Sequence, residues 1–236
     1  MKLDFSNQRV LAVVAHPDDA ELLCAGTLAR ALADGAEIGV CVMCDGGKGQ
    51  AKKAIKNLVA VRRREMKAAA KLLNAKLFLG EFPDGELTDG KTQRGRLIEV
   101  YRNFWPTLVI AHSPADYHPD HRAVAQLAEV ASWFCASTGH RTRTKALDAP
   151  PELWRMDTIA MHDFDPGFYV DVSEHYEIKE RMLNCHQSQL ARGDDGDFSP
   201  LTELMATQAK ARGQQADTTM AEAFQIHRAF KRAKAW

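Results

Sequence analysis

Short apolar runs alternate with longer amphipathic stretches along the first half of the chain. Runs of the length typical of buried strands cover residues 10–15, 37–44, 76–80 and 107–112. Apolar residues at helical spacing follow each run, over residues 20–34, 51–74, 93–104 and 119–137. Strands that alternate with helices favour a parallel sheet with right-handed crossovers. The pattern therefore predicts an α/β fold, with a Rossmann-like three-layer α/β/α core over residues 8–137 and a mainly parallel sheet.

The second half of the chain has a weaker pattern. Residues 138–156 are rich in Thr, Arg and Pro, which predicts a long surface loop. Two strands, a helix and a polar turn are predicted at residues 157–162, 167–172, 174–189 and 192–197. The remainder is predicted as mostly helical, which gives a C-terminal helical extension. We expect one domain over residues 1–236, whose C-terminal strands and helices cover about 157–236.

Composition excludes several classes of protein. The 236 residues are 45% hydrophobic, and 31 Lys and Arg balance 31 Asp and Glu, as in ordinary soluble domains. Proteins that hold nucleic acid by phosphate contacts usually carry a basic surplus, so no nucleic-acid partner is expected. The apolar run at residues 10–15 is too short for a signal-peptide core or a membrane span.

The five cysteines indicate a reducing compartment. Their odd number and apolar surroundings predict free thiols in a cytoplasmic protein. Cys41 and Cys44 form a C-x-x-C pattern, but they lie in a predicted strand and no second pair follows. We interpret them as buried small residues and not as a zinc or redox pair.

Two clusters of His and Asp carry the candidate chemistry. The sequence Ala-His-Pro-Asp-Asp at 15–19 follows the first predicted strand, and His-Pro-Asp-His at 118–121 follows the fourth. In each cluster a His precedes a Pro suited to the first position of a helix. If the strand order is 3-2-1-4, the first and fourth strands are neighbours, and ligands bind beyond their carboxyl ends. Topology therefore predicts that both clusters face one cleft.

His16, Asp19 and His121 together supply two imidazoles and one carboxylate. This set suits a catalytic zinc ion with an open position for water. The same set could hold ferrous iron. We therefore predict a metal site at these three residues, with Zn²⁺ as the cofactor and Fe²⁺ as the alternative.

Three further residues of the clusters are candidate catalytic groups. Zinc lowers the pKa of its bound water, so Asp18 could complete the deprotonation as a general base. His118, as an imidazolium, could stabilise the oxyanion and then protonate a leaving amine. Asp120 is expected to orient His118.

The sequence resembles the PIG-L, or LmbE-like, N-deacetylases. The resemblance covers nearly the whole chain and is carried by Ala-His-Pro-Asp-Asp at 15–19, Glu21, Gly26-Thr27, Asp45-Gly46-Gly47, Arg62 with Glu65, Pro83-Asp84-Gly85, residues 116–121 and His-Gln-Ser-Gln at 186–189. It implies a Rossmann-like fold and zinc-dependent removal of acetyl groups from N-acetylglucosamine conjugates. It also implies that His16, Asp19 and His121 are the metal ligands. Asp18 would be the general base and His118 the electrostatic partner. The resemblance makes a homo-oligomer a reasonable expectation.

The resemblance also implies three substrate contacts. Arg62 would reach a sugar hydroxyl or an anionic aglycone, although it could instead belong to a solvated helix face. Asp84 would hold sugar hydroxyls, although its Asp-Gly turn could be purely conformational. His186 would line the cleft or merely cap a helix. The expected partner is a small amino-sugar conjugate.

Other functions remain open from the sequence. A nucleotide-binding dehydrogenase needs G-x-G-x-x-G after the first strand, where this chain has His-Pro-Asp-Asp. An iron enzyme using the same site is one alternative. A sugar- or metal-binding module that has lost turnover is another. Because Asp18 and His118 are both present, we favour the hydrolase.

Overall fold

Seven strands form one sheet in the order β3-β2-β1-β4-β5-β7-β6. The computed structural model describes residues 3–192 and 200–229. The strands are β1 (Arg9–Val14), β2 (Glu37–Cys44), β3 (Lys76–Phe82), β4 (Leu108–Ala111), β5 (Glu152–Met156), β6 (Phe168–Asp171) and β7 (Ala221–Ile226). The helices are α1 (Asp19–Leu23), α2 (Ala25–Ala33), α3 (Leu58–Leu72), α4 (Lys91–Phe104), α5 (Pro119–Phe134), α6 (Tyr176–Leu183), α7 (Gln187–Leu190) and α8 (Leu201–Gln215), with a 3₁₀ turn at Ser173–His175.

Both faces of the sheet are covered by helices. Alternate residues of β1 point into two separate apolar clusters, with Val10, Ala12 and Val14 in one and Leu11 and Val13 in the other. Residues of α2, α6 and α8 contribute to the first cluster, and residues of α4 and α5 to the second. Burial on both faces explains why the central strands are continuous apolar runs. The predicted three-layer α/β/α class is confirmed.

The predicted order of the first four strands is also confirmed. β1 pairs in parallel with β2 and with β4, and β2 pairs in parallel with β3. β5 continues the parallel part beside β4, whereas β7 runs antiparallel to both of its neighbours. Cys41 and Cys44 are buried in β2, as expected for small core residues.

The predicted helix at 20–34 is divided at Cys24, whose backbone has φ −146°. The second of the two helices, α2, is capped by a residue far away in the sequence. Glu222 of β7 accepts hydrogen bonds from the backbone N–H groups of Gly26 and Thr27, at 3.0 and 2.7 Å. A carboxylate at these groups satisfies the first turn of α2 and stabilises a new helix start. Lys179 neutralises this carboxylate in a buried ion pair.

Two other helix boundaries differ from the prediction. The helix predicted from residue 51 begins at Leu58, because Asn57 before it has a left-handed backbone with φ 56°. The helix predicted at 174–189 is a 3₁₀ turn followed by α6 and the short α7. The turn predicted at residues 192–197 lies outside the described residues from 193 onward.

The C-terminal strands were predicted wrongly in two places. A strand lies at Glu152–Met156, inside the segment predicted as a loop, and residues 157–162 form no strand. This strand was missed because it contains charged residues, which are unusual in a buried strand. Arg155 is buried nevertheless, because its Nη1 donates to the carbonyl of Ala125 and its Nη2 to Glu129. Strand β7 lies in the part predicted as mostly helical. The C-terminal segment therefore extends the sheet instead of forming a helical extension alone.

No helix among residues 3–192 and 200–229 combines the length and the apolar character needed to cross a bilayer.

The contact between β2 and β3 gives a stability prediction. A Cβ at Gly80 would lie 2.5 Å from the carbonyl oxygen of Met43, whereas a Cβ at Gly95 meets nothing within 4 Å. We expect Gly80→Ala to lower the free energy of unfolding by about 1–3 kcal/mol through overpacking. Gly95→Ala, in the exposed interior of α4, is the matched control and should raise it by about 0.5–1 kcal/mol. Urea unfolding measures both, and equal effects would contradict the close approach.

Candidate metal centre and active site

The two clusters of His and Asp face one cleft. Residues 15–19 follow β1 and residues 118–121 begin α5 after β4, and these two strands are parallel neighbours. A cavity of about 710 Å³ opens at this end of the sheet. Eight of the nine predicted site residues line it: His16, Asp18, Asp19, Arg62, Asp84, His118, Asp120 and His121.

The clusters differ in backbone conformation, although their sequences predicted the same one. Pro119 is the first residue of α5, and His118 is its N-cap, whose Nδ1 accepts the backbone N–H of Asp120 at 3.2 Å. In the first cluster the helix begins only at Asp19, because Asp18 has a left-handed backbone with φ 104°. Such a conformation is uncommon for a residue other than Gly and often marks a functional site.

Three donor atoms lie at the spacing expected of metal ligands. Nδ1 of His16 lies 3.5 Å from Oδ2 of Asp19 and 3.3 Å from Nε2 of His121. The last two atoms are 3.3 Å apart. Ligands bonded at about 2.0–2.1 Å to a tetrahedral zinc ion are roughly 3.3 Å from one another. The donor set therefore fits a tetrahedral ion with one position open.

Each imidazole of this set has a carboxylate behind it. Nε2 of His16 lies 2.9 Å from Oδ2 of Asp120, and Nδ1 of His121 lies 3.1 Å from Oδ1 of Asp116. Carboxylates in this position fix the tautomer and orientation of metal-binding histidines. We expected Asp120 to orient His118, but its carboxylate contacts His16 and the backbone N–H of Gly85 instead.

The charges of the cluster favour a cation. Burial alone would lower the pKa of His121, but Asp19 and Asp116 raise it to about 9. Burial also opposes ionisation of Asp19, yet the neighbouring His121 and His112 hold the pKa of this carboxyl well below its usual range. Hydrogen bonds to Asp120 and Asp19 raise the pKa of His16, again against the effect of burial. The cluster therefore stabilises positive charge beside Asp19.

His112 was not among the predicted site residues. It is fully buried directly after β4, its ring stacks on that of His121 at 4.0 Å between centroids, and its Nε2 lies 3.2 Å from Oδ2 of Asp19. Burial and the neighbouring His121 lower its pKa to about 4, so its ring is neutral. Its place at the carboxyl end of a central strand was the available signal.

Alternative donor groups overlap at this site. Three groups in the described part of the chain have donor atoms within 4.8 Å of one another: His16, His118 and His121; Asp19, His112 and His121; and His16, Cys44 and Asp120. His16, Asp19 and His121 contribute to two, one and two of these groups respectively. Each group contains His16 or His121, so the candidate donors belong to one small cluster.

The carboxylate of Asp18 is buried beside this cluster. Burial and the neighbouring Asp19 raise its pKa to about 7. Nε2 of Gln189 donates to its Oδ2 at 2.8 Å. A buried carboxylate with a pKa near neutrality is suited to accept a proton in general base catalysis.

His118 is partly buried and its ring packs against two others, with centroids 4.7 Å from His16 and 4.8 Å from His121. Burial and the neighbouring His121 lower its pKa, which favours a neutral ring and not the expected imidazolium. Because Nδ1 accepts the Asp120 N–H, a neutral ring carries its proton on Nε2. His118 can therefore offer a hydrogen-bond donor.

Arg62 and Asp84 line the cavity but also hold the glycine-rich loop. Arg62 is buried and not on a solvated helix face, and its Nη2 donates to the carbonyl of Gly49 at 2.7 Å. Asp84 accepts the backbone N–H groups of Gly46 and Lys48, both at 2.9 Å. Each residue therefore shapes the cavity wall.

His186 does not reach the cavity. It is fully buried, and its Nε2 lies 3.2 Å from Oε1 of Glu21. Burial alone would lower its pKa, but Glu21 raises it above the ordinary value. Of the two alternatives for His186, the second describes its place in the chain: it is the N-cap residue of α7, without a capping hydrogen bond from its side chain, and its ring contacts Glu21.

Known proteins resemble this chain over most of its length. A diacetylchitobiose deacetylase of Thermococcus kodakarensis is 28% identical over 189 residues, which cover 77% of this chain and 70% of the relative. A 4-oxalmesaconate hydratase of Pseudomonas putida is 26% identical over 188 residues, which cover 76% of this chain and 73% of the relative.

A solved structure and a family model agree with these similarities. The N,N′-diacetylchitobiose deacetylase of Pyrococcus horikoshii has the same fold, with a TM-score of 0.81 at 24% identity over 93% of this chain and 84% of that chain. The sequence model of the PIG-L family, described as GlcNAc-PI de-N-acetylase, matches residues 11–132, just over half of the chain. The chain therefore belongs to the PIG-L (GlcNAc-PI de-N-acetylase) family.

Proposed function

We propose that this protein is a zinc-dependent amide hydrolase that removes the N-acetyl group from an N-acetylglucosamine-type sugar conjugate. The observation that carries the proposal is the group of three donor atoms at 3.3–3.5 Å, beside the buried carboxylate of Asp18. The name of the T. kodakarensis relative, a diacetylchitobiose deacetylase, supports the reaction and the class of substrate.

The metal is assigned to His16, Asp19 and His121. Two imidazoles and one carboxylate are the chemistry of catalytic zinc sites that keep one position open. When bound, zinc would supply Lewis acidity and lower the pKa of a water molecule. Asp120 is hydrogen-bonded to Nε2 of His16, and Asp116 lies 3.1 Å from Nδ1 of His121. Carboxylates at these ring nitrogens favour the tautomers that leave Nδ1 of His16 and Nε2 of His121 free to bind a metal ion.

Asp18 is assigned as the general base. Its carboxylate lines the cavity next to Asp19 and takes the proton of the attacking water. The same proton can then pass to the nitrogen of the amide as the C–N bond breaks, which leaves a free amine and acetate. Asp18 is suited to this exchange because it is buried and because burial and the neighbouring Asp19 raise its pKa to about 7.

His118 is assigned as the group that stabilises the oxyanion on the acetyl carbon. Its Nδ1 is occupied by the N–H of Asp120, so Nε2 is the donor that remains. Asp120 thus supports the reaction with two different groups. Its backbone N–H fixes the tautomer of His118, and its carboxylate orients His16.

Arg62 and Asp84 are assigned to the sugar. In the part of the chain that the structure describes, Nε of the buried Arg62 has no hydrogen-bond acceptor. The oxygens of Asp84 each accept one backbone N–H and retain further acceptor capacity. A guanidinium donor and a carboxylate acceptor in one cavity suit the hydroxyl groups of a pyranose.

A hydratase is the second candidate, because the P. putida relative has a similar degree of identity. Addition of water to a double bond also needs an activated water. It releases no acetate, however, and has no leaving amine. Acetate release therefore distinguishes the hydrolase from the hydratase. Turnover of either kind excludes a binding module, and elemental analysis distinguishes a zinc enzyme from an iron enzyme.

The first experiment is elemental analysis of protein purified without added metal. We expect about one zinc ion per chain, as for a catalytic site with three protein ligands. His121→Ala should lose this zinc, because it removes one of the three donors. His140→Ala, at an exposed position, is the matched control and should keep it. Iron in place of zinc would support the ferrous alternative, and unchanged zinc in His121→Ala would contradict the ligand assignment.

The second experiment measures acetate release from N,N′-diacetylchitobiose and other N-acetylglucosamine conjugates. Asp18→Asn should retain the metal and lower kcat by about 100- to 10,000-fold, the range typical of a lost general base. Asp148→Asn, an exposed aspartate, is the control. Near wild-type turnover in Asp18→Asn would show that Asp18 is not the general base. No acetate from any conjugate, with hydration of an unsaturated tricarboxylate such as 4-oxalmesaconate, would favour the hydratase.

The third experiment tests His118 by steady-state kinetics. His118→Ala should lower kcat by about 100- to 1,000-fold and change KM little, because the hydrogen bond forms mainly in the transition state. The metal content should remain that of the parent protein. A raised KM with unchanged kcat would instead indicate a role in substrate binding.

A further inference from the structure

The side-chain amide of Gln189 joins two residues of the cavity wall. Gln189 lies in α7 and is buried. Its Nε2 donates to Oδ2 of Asp18 at 2.8 Å. Its Oε1 accepts from Nη2 of Arg62 and, at 3.3 Å, from Nη1 of Arg192. The amide therefore contacts a carboxylate at one end and guanidinium groups at the other.

These partners permit only one orientation of the amide. A guanidinium group can only donate hydrogen bonds, and an ionised carboxylate can only accept them. The oxygen of Gln189 must therefore face Arg62, and its NH₂ group must face Asp18. Reversal of the amide would place two donors together at Arg62 and two acceptors together at Asp18.

The helix that carries Gln189 is itself held in place. Both oxygens of Glu65 accept hydrogen bonds from Ser188, one from the backbone N–H at 2.8 Å and one from the hydroxyl at 2.6 Å. Glu65 and Arg62 belong to α3, one turn apart. Helix α3 thus fixes both the position of α7 and the orientation of the Gln189 amide.

Asp18 depends on this support. Among residues 3–192 and 200–229, its carboxylate accepts one hydrogen bond, and the donor is Gln189. That bond ties Oδ2 to Gln189, whereas Oδ1 accepts no hydrogen bond from the described residues and keeps both lone pairs available to take a proton. Without this bond, no hydrogen bond from the described residues would fix the orientation of the Asp18 carboxylate.

We propose that Gln189 is the positioning residue of the general base: through its NH₂ group it holds Asp18 in the orientation in which Oδ1 accepts the proton. This inference rests on the proposed function, because it concerns the same reaction. It assigns a task to a residue of the 186–189 motif that touches neither the metal donors nor, in our proposal, the substrate.

The central variant is Gln189→Glu, which removes the hydrogen bond to Asp18 and keeps the one from Arg62. A glutamate still accepts from Arg62 but cannot donate to Asp18 while ionised. We expect kcat for acetate release to fall by about 10- to 100-fold, the range for residues that orient a reacting group, with KM and zinc content unchanged. Gln187→Glu, an exposed position on the same helix, is the matched control and should change kcat by less than about twofold.

A double variant distinguishes positioning from a general structural role. Once Asp18→Asn has removed the base, there is no base left to orient. Gln189→Ala should therefore lower the residual rate of Asp18→Asn by no more than about twofold, although it lowers the rate of the parent protein by 10- to 100-fold or so. Equal losses in both backgrounds, or a Gln189→Glu variant that keeps the parent kcat, would overturn the inference.

A measurement without turnover tests the contact between Gln189 and Asp18 separately from the proposed reaction. In metal-free protein labelled with ¹⁵N, the side-chain NH₂ signals of Gln189, identified by their absence in Gln189→Glu, should include one proton shifted downfield by the carboxylate. The shift should disappear in Asp18→Ala. If the parent protein releases no acetate, the proposed function fails while this result still stands. If the parent is active and the shift is absent or survives in Asp18→Ala, the positioning role fails alone.

Discussion

Parallel pairing of β1 with β4 is the constraint on which the site depends. The two strands are aligned so that Val13 lies opposite Ala111, and both end at the same edge of the sheet. Parallel neighbours require a long crossover, so residues more than a hundred positions apart meet there. Nδ1 of His16 and Nε2 of His121 are separated by 105 positions in the sequence but by 3.3 Å in space. If another strand lay between these two, the donors could not share one ion.

Much of the fold follows from local features of the sequence. The apolar runs at β1, β2 and β4 are long enough and regular enough to identify the central strands, and the glycine at 35 ends the first helical segment with φ 98°. Strands β5 and β7 escaped detection because their charged residues are neutralised by distant partners. Glu222 is satisfied by Lys179 and by the start of α2, and no local pattern contains that information.

The residue types of the candidate site could be predicted from the sequence, but their orientations could not. The two clusters supplied the proposed metal ligands and the proposed base, because His and Asp after buried strands are unusual enough to be recognised. The contact of Asp120 with His16 depends on how α5 lies against β1, which is a property of the packed fold. His112 directly follows a strand of ordinary appearance, and only tertiary structure brings its ring against His121.

The carboxylate of Glu222 has a consequence for the order in which the chain folds. The N–H groups of Gly26 and Thr27 find their acceptor 196 and 195 residues later in the sequence. During synthesis the N-terminal part of a chain emerges first, so α2 remains without its cap until β7 has left the ribosome and entered the sheet between β5 and β6. Helix α1, which carries Asp19, directly precedes this junction. The proposed metal ligands His16 and Asp19 thus lie beside a helix junction that is completed only when β7 has been made.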